Sequence, residues 1–229
     1  MDIQEAIRTR HSVRSYMDKA IPEELVEALE EEVRRCNQEG DLHIQLVTEE
    51  PAAFDSFMAH YGKFSCVKNY IAMVGPQGPE LEEKLGWYGE RLVLKAQMLG
   101  LNTCWVALTF SKRKSHCQVE PGEKLVCVIA LGYGTTQGEA HKSRPVTAVC
   151  RVDAPMPDWF RLGVEAALLA PTAVNQQKFR FTLSGDTVRG ESTGGFYSKV
   201  DLGIVKYHFE LGAGKENFRW AESSQTSRC

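Results

Sequence analysis

A helix–loop–strand segment that occurs twice places the strongest limit on how this chain can fold. When residues 21–23 (IPE) are aligned with residues 156–158 (MPD), the helix, loop and strand positions that follow coincide in the two copies. The apolar segments 90–100 and 202–212 also resemble each other. This pattern predicts two related halves, of which the second is shorter. Amphipathic helices also resemble one another by chance, so the pattern alone leaves an unduplicated chain open.

Helical and strand patterns alternate along the first half. Apolar residues with a helical period predict helices at residues 2–8, 22–40 and 87–99, and Gly40 and Gly100 are candidate stops for the last two. Apolar or alternating runs predict strands at residues 42–48, 70–74, 103–110 and 124–134. Strands that alternate with helices indicate a layered fold of the α/β or α+β class.

The composition excludes several classes of protein. With 229 residues, 43% hydrophobic and 25% charged, the chain is long enough to bury a substantial core and is typical of globular proteins. A formal net charge of -3 offers little attraction to polyanions, so we expect no nucleic-acid partner. The N-terminus lacks the apolar core of a signal peptide, and no run approaches the roughly 20 apolar residues of a spanning helix. We therefore expect no membrane association and a cytoplasmic location.

The seven cysteines show neither a CxxC pair nor a regular spacing. An odd number fits a reducing compartment better than a disulfide framework, and this spacing predicts no metal site. Cys104 lies in an apolar run without a basic neighbour, so we expect a packed side chain rather than a nucleophile.

Two short basic clusters are candidates for binding an anion. RHSVR at residues 10–14 offers two guanidinium groups, a hydroxyl and an imidazole in a loop after the first helix. Arginine supplies fork-shaped donors that suit a phosphate. Lys142 and Arg144 follow the last predicted strand of the first half and its glycine turn. Each cluster taken alone could also be a solvated surface loop.

Two other patterns predict no site. The glycines of GYGTTQG (132–138) have the wrong spacing for a dinucleotide fingerprint, and the residues after them do not open the helix that a pyrophosphate needs. His208 and Glu210 lie two residues apart on a predicted helix and point to different faces, so a shared metal is not supported. We expect core-facing or capping roles for both residues and for Asp201.

An apolar helix at residues 164–169 runs directly into APTAVNQQKF at residues 170–179. The Asn and two Gln of this segment indicate either a polar loop or a site that holds a planar polar ligand.

Four motifs together resemble those of the FMN-dependent nitroreductases. That family opens with an Arg-(Arg/His)-Ser-x-(Arg/Lys) loop, to which RHSVR at 10–14 is similar, and its Gly-Leu-x-Thr-Cys-Trp segment is similar to GLNTCW at 100–105. Its Leu-Gly-Tyr strand and late basic motif resemble LGYG at 131–134 and KSRP at 142–145. Its Ala-Pro-Ser-Ala-x-Asn-x-Gln-Pro-Trp loop resembles residues 170–179. The resemblance covers most of the chain and implies a nitroreductase-like α+β fold with a central, mainly antiparallel sheet flanked by helices.

The Asn-Gln loop departs from the family order. Ordinary members carry it shortly after the Arg-Ser loop, where this chain has the degenerate RRCNQEGDL at 34–42. Because ordinary members are homodimers with flavin sites between subunits, the late loop implies a dimer fused into one chain, as in a subgroup of internally duplicated nitroreductases. The resemblance thus implies pseudo-symmetric halves at 1–150 and 151–229, the second with a polar tail at 221–229. The chain would act as a monomeric pseudo-dimer that could pair further as a homodimer.

The resemblance assigns FMN-binding roles to four groups of residues and implies no catalytic side chain and no metal. The FMN phosphate would be held by Arg10, Ser12, Lys142 and Arg144. The pyrimidine side of the flavin would be approached by Arg14 and His11. The ribityl chain or ring edge would be contacted by Thr172, Ala173, Asn175 and Gln176. The site would be lined through backbone and packing by Thr103, Cys104 and Trp105.

The implied chemistry is a ping-pong oxidoreductase reaction. NAD(P)H, as co-substrate, would give hydride to flavin N5, and a nitroaromatic or quinone-like small molecule would then accept the electrons. The Pro-Trp of the family loop is replaced here by Lys178 and Phe179, so the acceptor stays open. Two alternatives also stay open: an FMN carrier or sensor without reductase activity, and a degenerate member that binds no flavin and serves as a scaffold.

Overall fold

An antiparallel sheet forms the centre of the first half of the chain. The computed structural model describes residues 1–55, 62–153 and 155–221. In spatial order, the strands are β1 (Gln45–Val47), β2 (Asn69–Pro76), β4 (Glu123–Gly132) and β3 (Asn102–Val106). Every neighbouring pair is antiparallel. β2 and β4 are buried along most of their length, which explains why the sequence shows them as continuous apolar runs.

Among the described residues, three helices accompany this sheet: α1 (Ile3–Thr9), α2 (Glu23–Gly40) and α3 (Leu81–Met98). All three were predicted, although α3 begins before the expected start at residue 87, with two glutamates in its first turn that favour the helix dipole. Gly100 has φ +81 and ends α3 as expected.

α2 ends at Gly40, near the predicted stop, but glycine does not supply the left-handed residue that follows the helix. Gly40 is still helical, and Asp41 takes the left-handed conformation at the helix end, with φ 51. Gly40 is small for another reason, because a Cβ at this position would lie 2.6 Å from the ring of Tyr88.

The third predicted strand is shorter than expected. β3 ends at Val106, and residues 107–109 leave the sheet and line a cavity. An apolar run cannot by itself separate a buried strand from an apolar cavity wall, which is why the sequence placed the strand end too late.

The second half forms a smaller sheet with its own helices. Its elements are α4 (Val146–Val149), β5 (Cys150–Val152), α5 (Asp158–Leu168), β6 (Phe179–Ser184), β7 (Thr187–Ser192), α6 (Ser198–Ala213) and β8 (Arg219–Trp220). The strand order is β5-β6-β7-β8, with an antiparallel β6–β7 hairpin and parallel outer pairs. Of the predicted polar tail, residues 222–229 lie outside the described part of the chain.

The two halves share one apolar core. Residues of both halves, including Ile71 and Leu92 from the first and Phe160, Phe181 and Phe209 from the second, belong to a single buried cluster. α3 and α6 approach closely where Gly86 faces the backbone of α6 and Gly203 faces the backbone of α3. The start of α6 lies near the first sheet, because Asp201 lines the same cavity as Trp105 of β3 and Cys127 of β4.

The mixed α+β architecture, with an antiparallel sheet flanked by helices, confirms the predicted fold class. The order of elements α2-β1-β2-α3-β3 in the first half resembles the order α5-β6-β7-α6-β8 in the second. The two sheets differ, because β4 lies between β2 and β3 in the first sheet, whereas β7 and β8 are direct neighbours in the second. The pseudo-symmetric duplication and the boundary at residue 150 stay predictions. No helix among the described residues is long and apolar enough to cross a membrane.

Candidate functional site

Two adjoining cavities lie between the RHSVR loop and the loop that follows α5. The first has a volume of about 340 Å³ and a mainly apolar lining, and the second has a volume of about 480 Å³ and a more polar lining. We call them the apolar and the polar cavity. Their shared wall consists of Ser12, Arg14, Pro171, Thr172 and Val174. Together they can hold a ligand with one flat apolar end and one charged end.

The RHSVR loop is held in an extended form by backbone hydrogen bonds on two sides. The Val13 N–H donates to the Thr103 carbonyl of β3 at 3.0 Å, and the Thr135 N–H donates to the Ser15 carbonyl at 2.9 Å. Successive side chains of an extended segment point to opposite sides. Val13 is therefore buried, whereas Ser12 and Arg14 line both cavities.

Arg14 and Arg10 differ in their surroundings. Arg14 is exposed, and its guanidinium has no hydrogen-bond or ion-pair partner within the described ranges. Arg10 is only 3% exposed and lines the polar cavity. Its Nη2 donates to the Leu169 carbonyl at 3.4 Å, and its Nε is buried without a hydrogen-bond partner. Burial lowers the pKa of Arg10, and nearby Glu90 opposes this shift.

Glu90 of α3 is the centre of a buried polar network behind the cavities. Its carboxylate accepts a hydrogen bond from Trp105 Nε1 at 2.9 Å, lies 2.8 Å from His208 Nε2 and lies 3.8 Å from Arg10 Nε. Glu90 and His208 are fully buried. The predicted core-facing role of His208 is therefore confirmed. Because Trp105 lines the apolar cavity, the network also fixes part of its wall.

Two histidines face the polar cavity, His11 and His141. Burial lowers the pKa of His11, and the charges of Arg10 and His141 lower it further. His141 Nε2 lies 2.9 Å from the Leu168 carbonyl, which can only accept. The described residues contain no cluster of three or more His, Cys, Asp or Glu side chains that could hold a metal ion.

The loop after α5 has an unusual backbone. Val174, Asn175 and Gln177 have φ values of 46, 54 and 45, in the left-handed region that side chains other than Gly rarely adopt. Val174 is β-branched and 80% exposed, so it has little packing to compensate for this strain. Strained residues of this kind cluster at functional sites, where neighbouring contacts hold them in place.

Asp201 of α6 holds one side of this loop. Its carboxylate accepts hydrogen bonds from the Ala173 N–H at 2.9 Å and from Gln176 Nε2 at 2.7 Å. Asp201 also lines the apolar cavity, and burial raises its pKa to about 6. The two hydrogen bonds favour the charged form but do not outweigh the burial. The capping role expected for Asp201 is thus realised on a neighbouring loop.

Gln177 holds the other side of the loop. It is 3% exposed, and its Nε2 donates to the Lys142 carbonyl at 2.8 Å and to Asn175 Oδ1 at 2.7 Å. Its Oε1 accepts a hydrogen bond from the Arg144 N–H at 2.8 Å. The amides of this loop are thus largely bound within the protein. The segment is therefore a polar loop that braces one wall of the cavities, and its role in holding a planar polar ligand stays a prediction.

Most of the predicted cofactor residues line the cavities. The residues that do so are Arg10, His11, Ser12, Arg14, Cys104, Trp105, Thr172, Ala173 and Asn175. Cys104 is 3% exposed, and burial raises the pKa of its thiol, in agreement with a packed side chain.

Four predicted residues lie outside the linings: Thr103, Lys142, Arg144 and Gln176. Thr103 is buried and contributes its backbone, and Gln176 binds Asp201. Lys142 and Arg144 are exposed and follow His141, which lines the polar cavity, by one and three residues in the sequence. The cofactor roles of all predicted residues stay predictions.

Sequence reasoning missed the cavity residues that come from distant segments. The apolar cavity also includes Phe64, Leu108, Phe196, Tyr197 and Ile204, and the polar cavity also includes Thr136, Glu139 and His141. Only His141 carried a signal, because it directly precedes the second basic cluster.

The sequence matches a family model described as "Putative TM nitroreductase" over residues 2–213. No curated protein matches it. Among solved structures, a "putative nitroreductase" from Thermotoga maritima MSB8 has a TM-score of 0.66 and 25% identity, with 94% of this chain and 85% of that chain covered.

Two further structures share the fold at lower identity. A "putative nitroreductase in complex with FMN" from Desulfovibrio desulfuricans has a TM-score of 0.53 and 18% identity, covering 69% of this chain and 99% of that chain. A "Putative NADH dehydrogenase/NAD(P)H nitroreductase" from Bacteroides thetaiotaomicron VPI-5482 has a TM-score of 0.51 and 18% identity, covering 64% and 95%. The chain therefore belongs to the family of nitroreductases whose model spans residues 2–213, and it has the fold of that family.

Proposed function

We propose that this protein is an FMN-dependent oxidoreductase of the nitroreductase type. It takes hydride from NAD(P)H and reduces a nitroaromatic or quinone-like acceptor by a ping-pong mechanism. The observation that carries the proposal is the pair of adjoining cavities, one polar and one apolar, with Ser12 and Arg14 in their shared wall. FMN combines a phosphate dianion with a flat ring, so its two ends suit these two linings.

Membership of a nitroreductase family supports this proposal. The Desulfovibrio desulfuricans neighbour is a complex with FMN, and the name of the Bacteroides thetaiotaomicron neighbour includes NAD(P)H nitroreductase. These names describe those proteins, and the cavity linings are the reason to extend FMN to this one.

The phosphate end is assigned to the polar cavity. Arg10 is a buried cation that lines the polar cavity, and its charge suits an anionic ligand there. The Ser12 hydroxyl can add a neutral donor from the shared wall. Lys142 and Arg144, which follow the lining residue His141, add positive charge without being buried. The polar lining therefore fits a phosphate monoester.

The ring end is assigned to the apolar cavity. Trp105 and Cys104 supply apolar walls, and Arg14 stands where the two cavities meet. Bound FMN supplies the hydride-transfer chemistry, so the protein needs no catalytic side chain of its own. Arg14 can stabilise negative charge at the pyrimidine edge of a reduced ring. Leu108, Val174 and Phe196 are exposed at the rim and leave an apolar entrance for the acceptor.

We also propose how the enzyme is organised. It is a cytoplasmic enzyme without a nucleic-acid or membrane partner, and its duplicated halves make it a monomeric pseudo-dimer that could pair further as a homodimer. One FMN binds per chain, because the phosphate loop and the Asn-Gln loop of a single chain face each other across the cavities.

The test is anaerobic reduction of the FMN-loaded protein. The visible absorbance of bound flavin should bleach when NADPH or NADH is added and recover when a quinone is added. If FMN binds and neither dinucleotide bleaches it, the protein is an FMN carrier or sensor rather than a reductase. If the protein takes up no FMN, both flavin functions are excluded and the scaffold alternative is favoured.

A further inference from the structure

The side-chain amide of Gln177 forms hydrogen bonds to the backbone of the second basic cluster on both sides of Ser143. Its Nε2 donates to the Lys142 carbonyl at 2.8 Å, and its Oε1 accepts from the Arg144 N–H at 2.8 Å. The amide thus makes the two backbone hydrogen bonds that a neighbouring β-strand would otherwise make. Gln177 is 3% exposed, so these hydrogen bonds are largely protected from water.

Other contacts hold the same short segment. Asn175 Nδ2 also donates to the Lys142 carbonyl at 3.0 Å, and Gln177 Nε2 reaches Asn175 Oδ1 at 2.7 Å. Ser143 Oγ donates to the Leu168 carbonyl at 3.0 Å. The backbone of residues 142–144 is therefore fixed, although the segment belongs to no helix or strand.

The side chains of Lys142 and Arg144 contrast with their fixed backbone. Both are exposed, and neither ammonium nor guanidinium has a hydrogen-bond or ion-pair partner in the parts of the chain that the structure describes. Asn175, which shares the Lys142 carbonyl with Gln177, lines the polar cavity. The fixed backbone thus carries two unpaired cations, and its neighbour His141 and its partner Asn175 both line this cavity.

Gln177 itself has φ 45, a strained conformation for a glutamine. Its own N–H donates to Thr172 Oγ1 at 3.1 Å, and Thr172 lies in the shared wall of the cavities. The contacts of both the backbone and the side chain are needed to hold this conformation. Strain that is compensated beside a ligand cavity indicates a positioning role.

We propose that Gln177 is a positioning residue that presents Lys142 and Arg144 to the phosphate end of a ligand in the polar cavity. The inference rests on the proposed function, since the ligand it names is the phosphate monoester of FMN. Gln177 does not touch the ligand. It fixes the backbone from which the two cations reach the anion, so less conformational freedom is lost when the ligand binds.

The experiment compares FMN with riboflavin, which lacks the phosphate. Gln177→Met removes the donor and the acceptor with little change of side-chain length, and Gln177→Glu keeps an acceptor for the Arg144 N–H but removes the donor. We expect both variants to bind FMN about tenfold more weakly and riboflavin as tightly as the wild type. The matched control is Lys178→Ala, which changes the next residue, an exposed one, and should leave both affinities unchanged.

Two further measurements separate positioning from a general structural effect. In a double-mutant cycle, Gln177→Met should weaken FMN binding much less when Arg144 is already alanine, because the two residues act through one contact. The FMN affinity of Gln177→Met should also depend less on salt concentration than that of the wild type, because Lys142 and Arg144 no longer pair well with the phosphate.

The outcomes distinguish the two proposals. Wild-type protein that binds neither flavin refutes the proposed function itself, and this inference with it. Wild-type protein that binds FMN, with unchanged FMN affinity in both Gln177 variants, overturns the positioning role alone. Equal losses of FMN and riboflavin affinity, or additive losses in the cycle, also overturn it, because they indicate damage to the whole loop.

Discussion

His208 Nε2 lies 2.8 Å from Glu90 Oε1, so a histidine of α6 and a glutamate of α3 meet at the centre of the molecule. Neither side chain is exposed. The other ring nitrogen of His208 lies 3.1 Å from the Ala166 carbonyl, which can only accept a hydrogen bond. Through Arg10 and Trp105, the same carboxylate reaches the walls of both cavities. A single buried group thus links the packing of the two halves to the site.

Replacing Glu90 should be strongly destabilising. Glu90→Gln leaves the buried guanidinium of Arg10 without a counter-charge, and breaking a buried ion pair on one side costs about 3–5 kcal/mol of unfolding free energy. Urea unfolding measures this loss. Glu82→Gln is the matched control on the same helix, because its pair with Lys124 is partly exposed and worth at most about 1 kcal/mol. Equal losses in the two variants would show that the network contributes no more than a surface pair.

Replacing Arg14 should affect ligand binding but not stability. Its side chain is exposed and unpaired among the described residues, so Arg14→Ala should leave the thermal midpoint unchanged. We expect FMN binding to weaken by about 1.5–3 kcal/mol, the usual contribution of a charge-assisted hydrogen bond. Arg113→Ala, at another exposed arginine that lines neither cavity, is the control. An Arg14→Ala variant that binds FMN like wild type contradicts the place given to Arg14.

Asp201 should make stability depend on pH. Its pKa is raised from 3.8 to about 6, mainly by burial. A carboxyl group whose pKa is higher in the folded than in the unfolded chain stabilises the fold while it is protonated. This contribution to the unfolding free energy is fully present below the unfolded-state pKa and is lost as the pH rises through the folded-state pKa. The loss amounts to about 3 kcal/mol between roughly pH 4 and pH 7.

The variant Asp201→Asn isolates this effect, because it cannot ionise. Its unfolding free energy relative to wild type should rise as the pH increases from about 4 to about 7. Urea unfolding of both proteins across this range measures the difference, in which the other titrating groups cancel. A difference that does not change with pH would mean that Asp201 is not desolvated as the structure indicates.

The strain at Val174 predicts a stabilising substitution. Its φ of 46 suits glycine, and its side chain is 80% exposed, so Val174→Gly loses little packing. Relief of the strain should outweigh the greater freedom of glycine in the unfolded chain, with a net gain of about 0.5–1 kcal/mol. Val119→Gly, at another exposed valine without a positive φ, should instead destabilise the protein. Destabilisation by Val174→Gly would mean that the valine is not strained in solution.

The sequence predicted the elements whose signals are local. Helical periodicity located α1, α2 and α3, and Gly100 marked a true helix end. Asp41 replaced glycine at the end of α2 because its short polar side chain tolerates the left-handed conformation. Local pattern could not show why Gly40 lies inside the helix. A side chain at this position would collide with the ring of Tyr88, which is distant in the sequence.

The site was predictable only where its residues form short motifs. The RHSVR loop and the loop after α5 were both identified, and the structure brings them to opposite sides of the same cavities. The hydrogen-bond partners of the Gln176 and Gln177 side chains were not predictable, because these partners lie far away in the sequence. Phe196 and Asp201 reach the apolar cavity only through the packing of α6 on α3. No local signal encodes such contacts.

Titration of the flavin-free protein with FMN tests whether the two adjoining cavities form one FMN site. The change in the visible flavin spectrum, followed as FMN is added to a known concentration of chain, gives both the affinity and the number of sites. We expect saturation at one FMN per chain, with riboflavin bound more weakly. A chain that takes up no FMN, or that saturates at two FMN, would contradict a single site formed by the two adjoining cavities.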